Sequence, residues 1–156
     1  MTKKPQSITG SAAIMLPGIA TVHPGPPHSY IGVAQQLCEG ITVLAAAEHP
    51  PSVALAMLAA HALECSLRAY LTRKGDDKRL NKKPLRHNIN ALWALAYQEG
   101  LGVPELPDAW VSALSDLHDE PYDLRYATRF QMLVLPPAAI IAAGVIALLE
   151  RVRQQI

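Results

Sequence analysis

The sequence predicts an all-α fold, an antiparallel bundle of about five helices that follows an extended N-terminal arm. Half of its 156 residues are hydrophobic and only 17% are charged, which excludes a largely disordered chain. Hydrophobic residues recur at helical spacing in five segments, and no segment alternates in the manner of a strand. Short connections between most of these segments favour antiparallel neighbours around one core.

The arm comprises residues 1–28, and the bundle comprises residues 29–156. Five of the 13 prolines fall in the arm, which prevents a helix or a central strand there. Two apolar patches, Ile14–Leu16 and Ile19–Val22, are expected to dock on the bundle or on a second subunit.

The first two helices are delimited by capping and breaking residues. Ser29 is a favourable N-cap for a helix that continues to Ala47. A His-Pro-Pro sequence then stops it, and Ser52 caps a second helix that reaches about Lys74. Gly75 follows at a position where helices commonly end.

Three more helices complete the predicted bundle, over about 88–100, 108–118 and 137–153. The third matches the helical template at Ile89, Leu92, Trp93, Ala96 and Tyr97. The fourth has its inner stripe at Trp110, Val111, Leu114 and Leu117. The last is apolar on every side, so we expect it to be the most enclosed helix.

Charge and cysteine content indicate a cytoplasmic protein without a membrane span. The net charge of +1 does not indicate a globally basic nucleic-acid binder. Residues 132–149 carry no charge, but Pro136 and Pro137 interrupt them, so we expect a buried helix. No convincing signal peptide is present. Cys38 and Cys65 are expected to be buried free thiols in a reducing compartment.

The second helix carries a polar stripe in an otherwise apolar sequence. His61, Glu64 and Arg68 lie at i, i+3 and i+7, and the last two form a favourable i,i+4 pair. The stripe is either the solvent-exposed face of the helix or a seam that lines a groove. His61 and Glu64 also have the spacing of two metal ligands, which His87 or His118 would have to complete. The spacing does not demand this, so no metal and no other cofactor is expected.

A basic segment follows the second helix. Between residues 68 and 86 the chain has eight of its 14 cations and only two acids, a local charge of +6. The cations are Arg68, Arg73, Lys74, Lys78, Arg79, Lys82, Lys83 and Arg86. The segment is either a solvated loop or a phosphate-binding patch. The residues from Lys82 to Arg86 precede a predicted helix start, where free N–H groups favour an anion.

A third polar feature precedes the last helix. Arg125 can form a forked contact with a phosphate or a carboxylate, and Tyr126 can stack or donate a hydrogen bond. Alternatively, Arg125 pairs with Asp116 or Glu120 and pins the loop. The chain has none of the GxxxxGK[ST], GxGxxG, GxSxG or HExxH templates.

Two stretches resemble the HEPN domains over about residues 30–150. These are Ala62-Leu-Glu-Cys-Ser-Leu-Arg-Ala-Tyr-Leu71 and, after Gly75, Arg86-His-Asn-Ile-Asn-Ala-Leu92. Ala96, Gly100 and Arg125-Tyr126 continue the pattern. The resemblance implies a helical bundle, often a homodimer, that binds nucleotide or RNA, with a nucleotidyltransferase or an antitoxin as further candidate partners.

Enzymatic HEPN proteins are metal-independent RNases of toxin–antitoxin and defence systems, and they use an arginine followed four to six residues later by a histidine. In this chain seven residues separate Arg79 from His87. The resemblance therefore predicts a binding site rather than an active site. The resemblance implies binding at Glu64, Arg68, Arg86, His87, Arg125 and Tyr126. The basic segment adds Lys82 and Lys83 to this predicted set, and His87 is a weak catalytic candidate.

Three functional hypotheses follow. The leading one is a HEPN-like bundle, non-catalytic, that binds the phosphate of a nucleotide or RNA at its cationic end. The second is a structural homodimeric interaction module, suggested by the apolar arm and last helix. The third is a weak RNase in which His87 transfers a proton while Arg86 or Arg79 holds the phosphate.

Overall fold

The computed structural model describes the backbone of residues 12–16, 19–126 and 132–156, with side chains from residue 24 onward. These residues form six α-helices, which confirms the all-α helical bundle. Their bounds are α1 His28–Ala45, α2 Ser52–Leu71, α3 Ile89–Gln98, α4 Ala109–His118, α5 Asp123–Tyr126 and α6 Ala138–Arg153.

The predicted arm contains an antiparallel hairpin in its second half. Strand β1 (Ala12–Leu16) pairs with strand β2 (Ile19–His23), with Leu16 opposite Ile19. Prolines fall between the strands and after them, so neither strand loses a donor to proline. The predicted docking of the apolar arm residues concerns side chains outside the described ones, and residues 1–11, 17–18 and 127–131 lie wholly outside them.

Neither Ser29 nor Ser52 is the helix cap that the sequence predicted: Pro27 and Pro51 occupy the N-cap positions of α1 and α2, without a side-chain hydrogen bond. α1 begins two residues earlier than predicted, at His28, with Pro27 rather than Ser29 at the N-cap position. α2 begins at Ser52 and ends at Leu71, short of the predicted Lys74. Both the backbone N–H and the hydroxyl of Thr72 donate to the carbonyl of Arg68, at 3.0 and 2.8 Å, which closes the last turn.

The most enclosed helix is α2, so the prediction that the last helix would be most enclosed is wrong. Fourteen of the 20 residues of α2 are buried, against six of 16 in α6. α2 contacts all five other helices, whereas α6 packs mainly on α1 and α2 and leaves Ile140 and Ile146 exposed. The apolar composition of α6 therefore did not predict how many helices surround it.

Within the described residues one helix, α2, is long and apolar enough to cross a membrane by length and composition. Two thirds (67%) of that stretch is buried in the bundle, as in the core helix of a globular fold. The uncharged stretch 132–149 is not one continuous helix, because α6 begins only at Ala138.

Candidate functional site

The polar stripe of α2 is buried rather than solvated. Glu64 and Arg68 are each 4% exposed and Thr72 is 1% exposed, so the solvent-face interpretation is wrong. His61 lies at the exposed end of the stripe. Partial desolvation nevertheless lowers the pKa of its imidazole; the carboxylate of Glu64 opposes this effect, and the charge of Arg125 adds to it.

Glu64 is the centre of a hydrogen-bonded cluster drawn from three segments of the chain. Nε of Arg68 donates to its Oε1 at 2.8 Å, and Nε2 of His118 lies 2.7 Å from its Oε2. Nδ1 of His87 lies 3.2 Å from Oε1 and 3.3 Å from Oε2. Because a carboxylate only accepts hydrogen bonds, both imidazole nitrogens face it as donors.

These contacts keep Glu64 ionised inside the protein. Burial alone would raise the pKa of its carboxyl, but the hydrogen bond from His118 and the charge of Arg68 outweigh burial. The pKa falls from 4.5 to about 2. Glu64 therefore carries its negative charge at physiological pH.

Arg68 is fixed by groups outside its own helix. Its two terminal nitrogens donate to Oδ1 of Asn81 and to the carbonyl of Leu80, each at 3.1 Å, in a 3₁₀ turn at Lys78–Asn81. Its guanidinium lies 5.9 Å from the ring of Tyr30 on α1. The side chain therefore joins three parts of the bundle and has no freedom to swing toward a ligand.

The positions of His87 and His118 are coupled through Asn88. The Asn88 side chain caps α3 by accepting from the N–H of Ala91 at 2.8 Å. Its amide nitrogen also donates to Oδ2 of Asp119 at 3.0 Å. Because Asn88 follows His87 and Asp119 follows His118, this bond holds the two imidazole-bearing segments together.

The backbone is strained beside this cluster. His87 and Tyr122 adopt positive φ angles of 57° and 66°, a conformation that costs a non-glycine residue about 1–3 kcal/mol. Their rings meet edge to face, with centroids 5.8 Å apart. Such strain persists where surrounding structure imposes it, and it is concentrated at functional sites.

A polar cavity of about 210 Å³ opens beside the cluster. It is lined by Tyr30, His61, Glu64, Cys65, Arg68, Asn81, His87 and Arg125. A smaller cavity of about 60 Å³ shares His61 and Arg125 with it and also reaches His118. A third cavity of about 340 Å³ is lined by Lys83, Pro84, Arg86, Asn88, Asp119 and Glu120.

The structure brings together part of the predicted site. Four predicted residues line the 210 Å³ cavity: Glu64, Arg68, His87 and Arg125. Lys83 and Arg86 line the 340 Å³ cavity, which shares no lining residue with the first. Lys82 and Tyr126 are exposed and line none of these cavities.

Much of the predicted +6 charge is offset by acids from other segments. Glu99 at the end of α3 pairs with Arg73 and Arg79, at 3.2 and 2.7 Å. Glu120 pairs with Lys83, so it is not the partner predicted for Arg125. The guanidinium of Arg125 instead lies 5.5 Å from the ring of Tyr122.

Two of the N–H groups at the start of α3, where an anion site was predicted, already have partners. The N–H of Ala91 is taken by Asn88, and the N–H of Asn90 donates to Oγ of Ser115 at 3.0 Å. Asp119 also brings a carboxylate within hydrogen-bond distance of Asn88. An anion would find these donors occupied and a negative charge beside them.

The predicted binding residues did not include five side chains of the cluster and cavity: Tyr30, His61, Cys65, Asn81 and His118. His118 is buried because the inner stripe of α4 is Val111, Leu114, Ser115 and His118, one residue out of phase with the predicted Leu117. The i, i+3, i+4, i+7 spacing from Val111 was the available signal. Tyr30 and Asn81 carried no such signal, because only the folded chain brings them to Arg68.

Comparison with known proteins adds no relative: no family model, no curated protein and no solved structure matches this chain.

Proposed function

We propose that this protein is a non-catalytic, HEPN-like bundle that binds the phosphate of a nucleotide or of RNA in the 210 Å³ cavity. One observation supports phosphate binding most directly. The negative charge of Glu64 is already paired with Arg68, while Arg125 is exposed at the same cavity. Two arginines and one glutamate give this lining a formal charge of +1 with neutral histidines.

The side chains that border the cavity with Glu64 and Arg68 favour phosphate. The guanidinium of Arg125 offers two parallel N–H donors to an oxyanion. His61 and His87 add imidazole groups to the same cavity. The cavity is smaller than the roughly 300–1,000 Å³ of pockets that enclose a drug-sized ligand. It would therefore hold a phosphate group and leave the sugar and base on the surface.

Titration of a labelled RNA oligomer and of labelled nucleotides, followed by fluorescence anisotropy in EDTA, tests this proposal. Affinity should fall as salt is raised, because phosphate binding releases counterions. Arg125→Ala should weaken binding at least tenfold. The matched control is Arg151→Ala, an exposed arginine that lines none of these cavities. Equal affinities of the two variants, or flat titrations, would refute the proposal.

A weak metal-independent RNase is a second candidate, favoured by one observation. His61 and His87 both line the cavity that Arg125 borders, and two imidazoles beside a guanidinium can supply an acid, a base and charge stabilisation. Cleavage of RNA in EDTA that disappears in both His61→Ala and His87→Ala would support it. If the wild-type protein leaves RNA intact, the RNase candidate is refuted and only the binding function remains.

We propose, further, that the protein acts as a cytoplasmic homodimer in a toxin–antitoxin or defence system, with an antitoxin or nucleotidyltransferase partner. Its exposed apolar side chains, Val33 and Val43 on α1 and Ile140 on α6, support an assembly surface. Both cysteines are buried free thiols, which suits a reducing compartment. Light scattering with and without residues 1–28 tests the assembly, and a monomer in both cases would refute it. A dimer without RNA or nucleotide binding would favour the interaction-module alternative.

A further inference from the structure

We propose that Glu64, His87 and His118 form a binding site for a zinc-like divalent transition-metal ion, in addition to the phosphate site. One potential ligand atom from each residue lies within 4.8 Å of the other two. Glu64 and His118 are buried and His87 is half-buried. The three residues come from α2, the residue before the α3 cap and the end of α4, so the fold itself assembles them.

Two of the three distances between ligand atoms can be compared with those of a tetrahedral site, and the third, between the two imidazoles, is within 4.8 Å. Zinc bonds of 2.0–2.1 Å to nitrogen and oxygen separate neighbouring ligand atoms by about 3.3 Å. His87 Nδ1 already lies 3.3 Å from Oε2 of Glu64. His118 Nε2 lies 2.7 Å from the same oxygen, so that contact must open by about 0.6 Å when an ion replaces the shared proton.

The donor set selects the kind of ion. Two imidazole nitrogens and one carboxylate oxygen are the ligand set of catalytic zinc sites, which leave a fourth position open. Calcium and magnesium prefer oxygen ligands throughout, so they fit poorly here. An ion at this place would border the cavities of 210 and 60 Å³, since Glu64 and His87 line the first and His118 lines the second.

Arg68 opposes a cation by its charge but leaves a ligand atom available. Its Nε engages Oε1 of Glu64 and not Oε2. Its other donors go to Asn81 and Leu80, so the guanidinium stays in place when an ion binds. Hydrogen bonds of this kind orient ligating carboxylates in many metal sites. We therefore expect moderate rather than very tight affinity.

Metal titration of the full chain without a histidine tag tests the inference. Calorimetry with Zn²⁺ should give one ion per chain, and Co²⁺ should give the visible absorption of a tetrahedral site. His87→Ala should lower the affinity at least tenfold, and His118→Gln should do the same. The matched control is His49→Ala, which removes an exposed histidine outside the cluster and should leave the affinity unchanged.

Two results would overturn the inference. One is the absence of stoichiometric binding to the wild-type protein. The other is equal affinity of the wild type and the His87→Ala variant, whose folding is checked by circular dichroism. If His118→Gln fails to fold, the metal affinity of the His87→Ala variant, whose histidine is only half-buried, decides the question. Because phosphate binding is measured in EDTA, failure of the metal site leaves that proposal standing, and the reverse also holds.

Discussion

Replacing Glu64 by Gln should destabilise the protein strongly, because the substitution removes a buried charge and keeps its shape. Arg68 and Glu64 are each 4% exposed, so the arginine would be left buried without a counter-charge. Breaking a buried ion pair from one side costs about 3–5 kcal/mol. Lowering a carboxyl pKa from 4.5 to about 2 is worth about 3 kcal/mol at neutral pH, which agrees with this range.

The same pKa gives the effect a pH dependence with a definite sign. Because folding lowers the pKa of Glu64, its contribution is fully present above pH 4.5 and is lost as pH falls toward 2. The difference in the free energy of unfolding between wild type and Glu64→Gln should therefore shrink by about 2 kcal/mol between pH 7 and pH 3.

Urea unfolding followed by circular dichroism at both pH values measures this difference. Glu120→Gln is the matched control, because Glu120 is exposed and pairs with the exposed Lys83, and its loss should be negligible. A Glu64→Gln variant as stable as this control, or a difference that does not change with pH, would refute the electrostatic account of the cluster.

Other predictions concern packing, strain and thiol reactivity. Gly144→Ala should lower the free energy of unfolding in urea by about 1–3 kcal/mol, because its Cβ would lie 2.7 Å from the Trp110 ring. Gly32→Ala, whose Cβ meets open space, should raise it by about 0.5–1 kcal/mol. Equal effects of the two substitutions would contradict this packing. His87→Gly should be about 1 kcal/mol more stable than His87→Ala in the same assay, because glycine tolerates the φ of 57°, and the reverse order would contradict the strain. Burial raises the pKa of the Cys65 thiol to about 12, so Ellman's reagent at pH 8 should label it rapidly only in guanidinium chloride; rapid labelling of the native protein would contradict its burial.

Helix positions could be predicted where local chemistry determines them. Ser52 after two prolines and Asn88 before an apolar period mark helix starts that the structure places at Ser52 and Ile89. The four-residue α5 was not predicted, because one helical turn shows no periodicity. The central place of α2 depends on which helices surround it, and this is a property of the whole bundle.

Within the candidate site, only the contact between residues that are close in sequence could be predicted. The i,i+4 spacing indicated the Glu64–Arg68 pair, which the structure contains. The acidic partners of the cations were not predictable from the sequence. Glu99 lies 20 residues from Arg79, and Glu120 lies 37 residues from Lys83. His118 lies 54 residues from Glu64, and no local pattern links residues so far apart.

Phosphate binding in the 210 Å³ cavity is tested by side-chain nitrogen NMR of the histidines during titration with a nucleotide in EDTA. If phosphate binds in the 210 Å³ cavity, the imidazole resonances of His61 and His87 should shift together and saturate at one ligand per chain. The exposed His28 and His49, which line none of the cavities described here, should not move. Saturating shifts elsewhere with unmoved His61 and His87 would contradict the claim that this cavity binds phosphate.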